Sequence, residues 1–326
     1  MTLYKGIQGF SVQNLSTDPT DPNEGQLWYN STSNVWKLTS ATTAGSWATG
    51  GSLNTVRSNL AGAGTQTSAL AFGGIDTAPT SATEEYDGAT WTTVNSLNTA
   101  RYALAGCGTQ TAGLAFGSEP PSGATEKYDG STWTSVNSMN TARQQLPGVG
   151  TQTAALGFGG YNTADTGATE EYDGTSWATS PGSLNTVRSN LAGAGTQTAG
   201  LAIAGVTNLP AAVNTNASEE YNGATWTSGN SLNTARRALA GSGIQTAALA
   251  FGGLIPPPTQ TGATEEYDGT SWTTSPVSLA TARAGLAGAG TQPAALAFGG
   301  STPSAIGATE EWLGAGSPQT KTITAS

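Results

Sequence analysis

Leu53-Asn54-Thr55-Val56-Arg57 opens a stretch that sets the architecture of this chain. It runs on through Leu60-Ala61-Gly62-Ala63-Gly64 and Thr65-Gln66-Thr67-Ser68-Ala69-Leu70-Ala71-Phe72-Gly73-Gly74 to Thr83-Glu84-Glu85-Tyr86-Asp87-Gly88-Ala89-Thr90-Trp91. The same order of motifs returns with its arginine at Arg57, Arg101, Arg143, Arg188, Arg236 and Arg283, at spacings of 44, 42, 45, 48 and 47 residues. Met139 replaces the leucine in the third copy, and Ala280 replaces the asparagine in the last. Periods of this length belong to solenoids, propellers or arrays, and the pattern inside the unit chooses among them.

No helical pattern occurs in the unit. Its apolar runs are four to eight residues long and are bounded by Gly, Asn, Asp and Ser, as strands are. Asp87-Gly88 and its counterparts read as two-residue hairpin turns, since Asp-Gly supplies the positive φ angles such turns require. Four short antiparallel strands every 42 to 48 residues are the pattern of propeller blades. The expected fold is therefore all-β, a six-bladed β-propeller over residues 46–316, with residues 1–45 before it and a tail at 317–326.

Double glycines follow the second strand at Gly73-Gly74, Gly159-Gly160, Gly252-Gly253 and Gly299-Gly300, with departures to Gly117-Ser118 and Ala204-Gly205. The first five of these six sites in chain order are each followed by a Tyr-to-Trp pair: Tyr86 and Trp91, Tyr128 and Trp133, Tyr172 and Trp177, Tyr221 and Trp226, Tyr267 and Trp272. In this order of glycines, Tyr and Trp the unit resembles the kelch repeat. The sixth copy stops at Glu310-Glu311-Trp312 without a fourth strand, whereas Trp47 precedes Arg57 by the ten residues that separate Trp91 from Arg101. The N-terminal strand is thus expected to complete the last blade, which removes an open edge and adds loop-closure stabilisation.

Composition narrows the function. The chain has 326 residues, no His, a single Cys and a net charge of −10. Without His, Ser-His-Asp and Cys-His catalysis and most zinc or copper sites are removed. No metal and no cofactor are expected. The kelch resemblance admits a copper oxidase, but that site needs His ligands and a Tyr joined to a Cys. Retaining glycosidases need two closely placed carboxylates beyond the repeated Glu pairs. Cys107 has Ala63, Val149, Ala194, Ser242 and Ala289 as its counterparts and reads as a small packed residue. The acidic balance argues against nucleic acid. No run of eighteen apolar residues spans a membrane, and MTLYKGIQGFSVQNLSTDP lacks the pattern of a signal peptide.

Residues present in every copy are most simply parts of a blade. The arginines and glutamates are expected to form Arg–carboxylate bridges between strands or blades, the Trp and Tyr to wedge between sheets, and the Asp-Gly carboxylate to shape a turn. Function then falls where the copies differ, in six loops between the second and third strands: Ile75–Ser81, Glu119–Gly123, Tyr161–Gly167, Val206–Asn216, Leu254–Gly262 and Ser301–Gly307. Variable loops on a rigid scaffold are where specificity resides. The candidate binding residues there are Asp76, Glu119, Tyr161, Asp165, Leu209, Leu254, Ile255 and Pro257. Leu209, Leu254 and Ile255 are expected to be exposed, and Pro256, Pro257 and Pro258 to hold one loop extended.

Residues 21–38 read as two strands about a polar turn. Gly25, Gln26, Leu27, Trp28, Tyr29, Asn30 and Asn34 match a P-x-x-G-Q-L-W/Y-Y-N-x-T/S-x-N hairpin, so the segment is similar to an N-terminal element of tailed-bacteriophage structural proteins. The resemblance implies attachment to other virion proteins through residues 1–45, with Trp28, Tyr29 and Trp36 as the attachment residues. The expectation is a non-enzymatic virion protein of the tail fibre or adhesin type, assembled in a bacterial cytoplasm and presenting its variable loops to a host-surface glycan or protein, or to a neighbouring subunit. A capsid decoration protein, and a glycan-binding or cellular interaction propeller outside a virion, are the alternatives.

Overall fold

A computed structural model describes residues 13–19, 26–41, 45–315 and 318–323. The chain divides into two compact units, Ser46–Leu313 and a smaller one built from Met1–Gly45 with Gly314–Ser326. The larger unit is all-β and propeller-like, made of repeated four-stranded antiparallel sheets. In the first sheet the strands are Ala61–Thr65, Ser68–Phe72, Thr83–Tyr86 and Trp91–Val94, side by side in that order. The last repeat supplies Ala287–Gly290, Ala294–Phe298 and Thr309–Leu313, and its fourth strand is Ser46–Gly50, with Trp47 opposite Trp312. Among the described residues no helix is long and apolar enough to cross a membrane.

Side-chain size explains the repeat. The first strand of each sheet is Gly- and Ala-rich because a large apolar side chain of the preceding repeat, or of the last repeat for the first sheet, comes too close for anything larger. A Cβ added at Gly62, Gly106 or Gly148 would lie 2.5, 2.4 or 2.6 Å from the rings of Phe298, Phe72 or Phe116. Between consecutive sheets lies an apolar cluster. One holds Leu70 and Phe72 with Tyr128 and Trp133; another, between the first and last repeats, holds Tyr86 and Trp91 with Leu296 and Phe298. Each such fully buried apolar side chain contributes about 1.5–3 kcal/mol. The double glycine is steric as well: Gly73 has a φ of 64°, and a Cβ there would stand 2.7 Å from the carbonyl of Arg101.

Some local expectations need correcting. The Asp-Gly hairpins have four-residue loops, Asp87–Thr90 in the first repeat, closed by the pair Tyr86 and Trp91. Asp87 is not at positive φ; its carboxylate accepts from the backbone N–H groups of Ala89 and Thr90 at 2.8 and 2.7 Å, so only Gly88 needs the left-handed region. Pro256–Pro258 do not extend their loop but form its turn, while Leu254–Ile255 pairs with Thr259–Gln260 on either side. The prolines lack the N–H that pairing requires, and the flanking residues have it. Residues set apart as a tail include the strand Pro318–Ile323, which pairs with Val35–Ala41 in the smaller unit.

Candidate functional site

The repeated charged residues are scaffold. Each arginine pairs with the first glutamate of its own repeat, at 3.2 Å for Arg57 and Glu84 and 2.9 Å for Arg143 and Glu170. Glu170 also accepts from the N–H groups of Asn140 and Thr141, and Arg143 donates to the carbonyls of Gly159 and Ala168. The bridge therefore ties the linking segment to the third strand within one repeat. All six arginines are buried, as are their glutamates. Burial, opposed by Glu84, draws the Arg57 guanidinium down to about 10, so it stays charged at neutral pH.

A second set of contacts joins successive sheets. Trp133 Nε1 donates to Thr83 and Trp91 Nε1 to Thr309, at 3.0 and 2.9 Å, and Trp47 makes the same bond to Thr264 at 2.9 Å. Gln66, Gln110 and their counterparts donate to two carbonyls of the preceding sheet. Tyr86, Tyr128, Tyr221 and Tyr267 donate to the second glutamate of the preceding repeat. Two positions depart from this rule. Lys127 stands where Tyr172 needs an acceptor, and the buried Tyr172 hydroxyl has no partner among the described residues. Trp312 stands where Glu266 would receive a tyrosine, and burial pushes the Glu266 carboxyl up.

The two ends of the sheets differ. At one end are the turns between the first two and last two strands, nearly identical in every repeat. At the other, each variable loop pairs through its first residue with the residue after the arginine: Ser58 with Ile75, Tyr102 with Glu119, Gln144 with Tyr161, Ser189 with Val206, Arg237 with Leu254 and Ala284 with Ser301. The next residue in each linker is left-handed, from Asn59 at φ 50° to Gly285 at φ 62°. These residues join N–H to carbonyl from Asn59 through Ala103, Gln145, Asn190 and Ala238 to Gly285, and Asn59 donates back to Gly285 at 2.7 Å. They and the leucines beside them line an open depression of about 100 Å³. Variation thus gathers at three positions of each repeat on one face.

The structure sorts the candidate residues. Asp76 and Pro257 are exposed, whereas Leu209, Leu254 and Ile255 are half-buried and not free in solvent. Neighbouring loops bond to the backbone of two of them: the Leu254 carbonyl accepts from Asn214 Nδ2, and the Leu209 N–H donates to Asp165. Asp165 is engaged internally, accepting from Ser189 Oγ at 2.7 Å and Leu209 N–H at 3.0 Å. Glu119 lies beside Tyr102, whose hydroxyl is pushed up by burial and then by the Glu119 charge. Tyr161 pairs with Gln144 and Asp165. Sequence reading missed Tyr102, Arg237, Gln145 and Asn190; the signal was that the two residues after each arginine change from copy to copy. Among the described residues no group of three or more potential metal ligands stands together.

In the smaller unit, Leu27–Asn30 and Val35–Ala41 pair about a turn whose N–H groups at Thr32 and Ser33 bond to Asn30 Oδ1. Trp28 is fully buried and donates to Asp18, which also takes bonds from Asn30 and Lys37. The bond from Lys37, then that from Asn30, holds the Asp18 carboxyl below its usual range. Trp28 is therefore a core residue of the unit and not a free attachment residue. Tyr29 and Trp36 share the opposite face, with ring centres 5.4 Å apart, and Trp36 is 44% exposed. No protein-family model and no curated protein matches the chain.

Proposed function

We propose that this chain is a non-enzymatic recognition protein of a tailed-phage virion, of the tail fibre or adhesin type. In this reading the larger unit is a six-bladed kelch-type β-propeller closed by Ser46–Gly50. It presents its variable face to a host surface or a neighbouring subunit, and residues 1–45 hold the chain to other virion proteins. One observation carries the reading: side chains repeated in every copy are spent on packing and ion pairs, while the differences gather on a single face. Rigid scaffold and variable surface are the division of labour expected of a binding module.

The propeller reading draws support from the apolar clusters, which join each sheet to the next and the last repeat to the first. Its kelch character rests on the double glycine and the Tyr-to-Trp spacing. The virion reading rests on the hairpin motif around Gln26, Leu27, Trp28, Tyr29 and Asn30, and on the face where half-buried Tyr29 lies against exposed Trp36; Gly25 lies outside the described residues. Quantitative mass spectrometry of gradient-purified particles tests it. Peptides of this chain at fixed stoichiometry with tail proteins support the reading, and co-fractionation with capsids alone assigns a decoration role. Absence from particles, with the chain recovered free, refutes the virion assignment.

A further inference from the structure

Of the seven arginines, six are buried against glutamates and the seventh, Arg237, is not. Arg237 is half-buried on the variable face, and no carboxylate among the described residues stands within 4 Å of it. Its counterparts are Ser58, Tyr102, Gln144, Ser189 and Ala284, so the cation is special to one repeat. The guanidinium is nevertheless held in place. Nη1 donates to Asn214 Oδ1 at 2.6 Å, and Asn214 Nδ2 donates to the Leu254 carbonyl at 2.8 Å. The Arg237 backbone pairs with Leu254 in both directions, at 3.1 and 2.8 Å.

A neutral amide fixes this side chain without neutralising it, and most of its five N–H donors remain uncommitted. The site also has shape. In the fourth and fifth loops strand pairing continues outward, as Thr207 with Val213 and Ile255 with Thr259, and Arg237 lies at the common base of the two hairpins. A pre-oriented guanidinium fork matches the paired oxygens of a carboxylate, sulfate or phosphate. Elsewhere on the same face the variable positions Gln145, Asn190, Tyr102 and Tyr161 supply amides and phenols, with Asn190 Nδ2 donating to Gln145 Oε1 at 2.9 Å. In the six loops the exposed large hydrophobic residue is Val213. Protein interfaces depend on aromatic and aliphatic anchors, and beyond Tyr102 and Tyr161 the loops of this face expose little large apolar surface. Amides, hydroxyls and ring faces suit a polyhydroxylated ligand.

We infer that Arg237, held by Asn214 between the fourth and fifth loops, selects an anionic carbohydrate on the variable face. The inference rests on that face being the binding face. Its test uses the full chain on an array of glycan pairs that differ only in a carboxylate, a sulfate or a phosphate ester, which separates the three sources of charge. Wild type is expected to bind at least one acidic member over its neutral pair. Arg237→Gln loses about tenfold to a hundredfold in affinity for it, and Arg237→Lys falls between, having charge without the fork. Thermal melts run in parallel confirm that each variant is folded.

Equal binding of acidic and neutral members, no binding to any glycan, or unchanged acidic binding by Arg237→Gln overturns the inference. Binding that survives Arg237→Gln but is lost in Tyr161→Ala overturns the role of Arg237 and leaves the variable face as the binding face. Loss of binding only in Thr111→Arg, on the opposite end of the sheets, overturns both.

Discussion

Replacing Arg143 by Met keeps most of the side-chain volume and removes the charge. The Glu170 carboxylate, itself fully buried, then keeps only its two backbone donors, from Asn140 at 2.7 Å and Thr141 at 3.2 Å. The Ala168 carbonyl still receives the Gly159 N–H at 3.0 Å, but the Gly159 carbonyl loses the 2.8 Å bond from Arg143. Breaking a buried pair from one side costs about 3–5 kcal/mol. At about 2–3 °C per kcal/mol for a unit of this size, the melting temperature falls by about 6–15 °C. Arg143→Met/Glu170→Gln removes the stranded charge and recovers part of the loss. Calorimetry of wild type and both variants at pH 7 is the assay. A single variant within about 1 kcal/mol of wild type, or a double variant no better than the single, refutes a scaffold role for the repeated arginines.

Trp47→Ala removes the bond to Thr264 and the contacts to Phe251 and Trp312, with ring centres at 5.1 and 5.3 Å. It should cost about 3–5 kcal/mol in denaturant unfolding, as much as Trp177→Ala; a much smaller cost at Trp47 contradicts its place in the last sheet. Lys127→Glu gives the Tyr172 hydroxyl the acceptor found elsewhere and is expected to stabilise by about 1 kcal/mol, with an unchanged or lower melting temperature as the opposing result. Burial raises the Glu266 carboxyl above its ordinary value, so its charge opposes folding once the pH exceeds that value. Glu266→Gln should raise the melting temperature at pH 7, and the gain should vanish once acid protonates the wild-type carboxyl in both states. A gain independent of pH would count against this cause.

The repeat made the strands legible, because five copies of Leu-Ala-Gly, with Leu146-Pro147-Gly148 in the third repeat, and five of the Tyr-to-Trp spacing average out what any one copy leaves ambiguous. Trp47 was legible for the same reason: its distance to Arg57 repeats that of Trp91 to Arg101. Position within the fold was harder to read. Arg237 follows a scaffold arginine and looks like its duplicate, and only the bridge to Leu254 places it on the variable face. Asp165 looked free because its partners, Ser189 and the Leu209 N–H, come from the next repeat. Trp28 looked like a surface anchor because its partner, Asp18, lies ten residues back in a segment without an apolar pattern. The strand Pro318–Ile323 was hidden because it pairs with residues about 280 positions earlier, and six polar-rich residues carry little signal of their own.

Electron cryomicroscopy of purified particles would examine the scaffold, the attachment and the exposed face together. The expected map has tail-associated density for six four-stranded sheets around one axis, with Trp47 beside Trp312, residues 1–45 at the contact and Arg237 on the outward face. Particles without this chain, or a chain held to the particle with residues 1–45 away from the contact, would contradict the proposal.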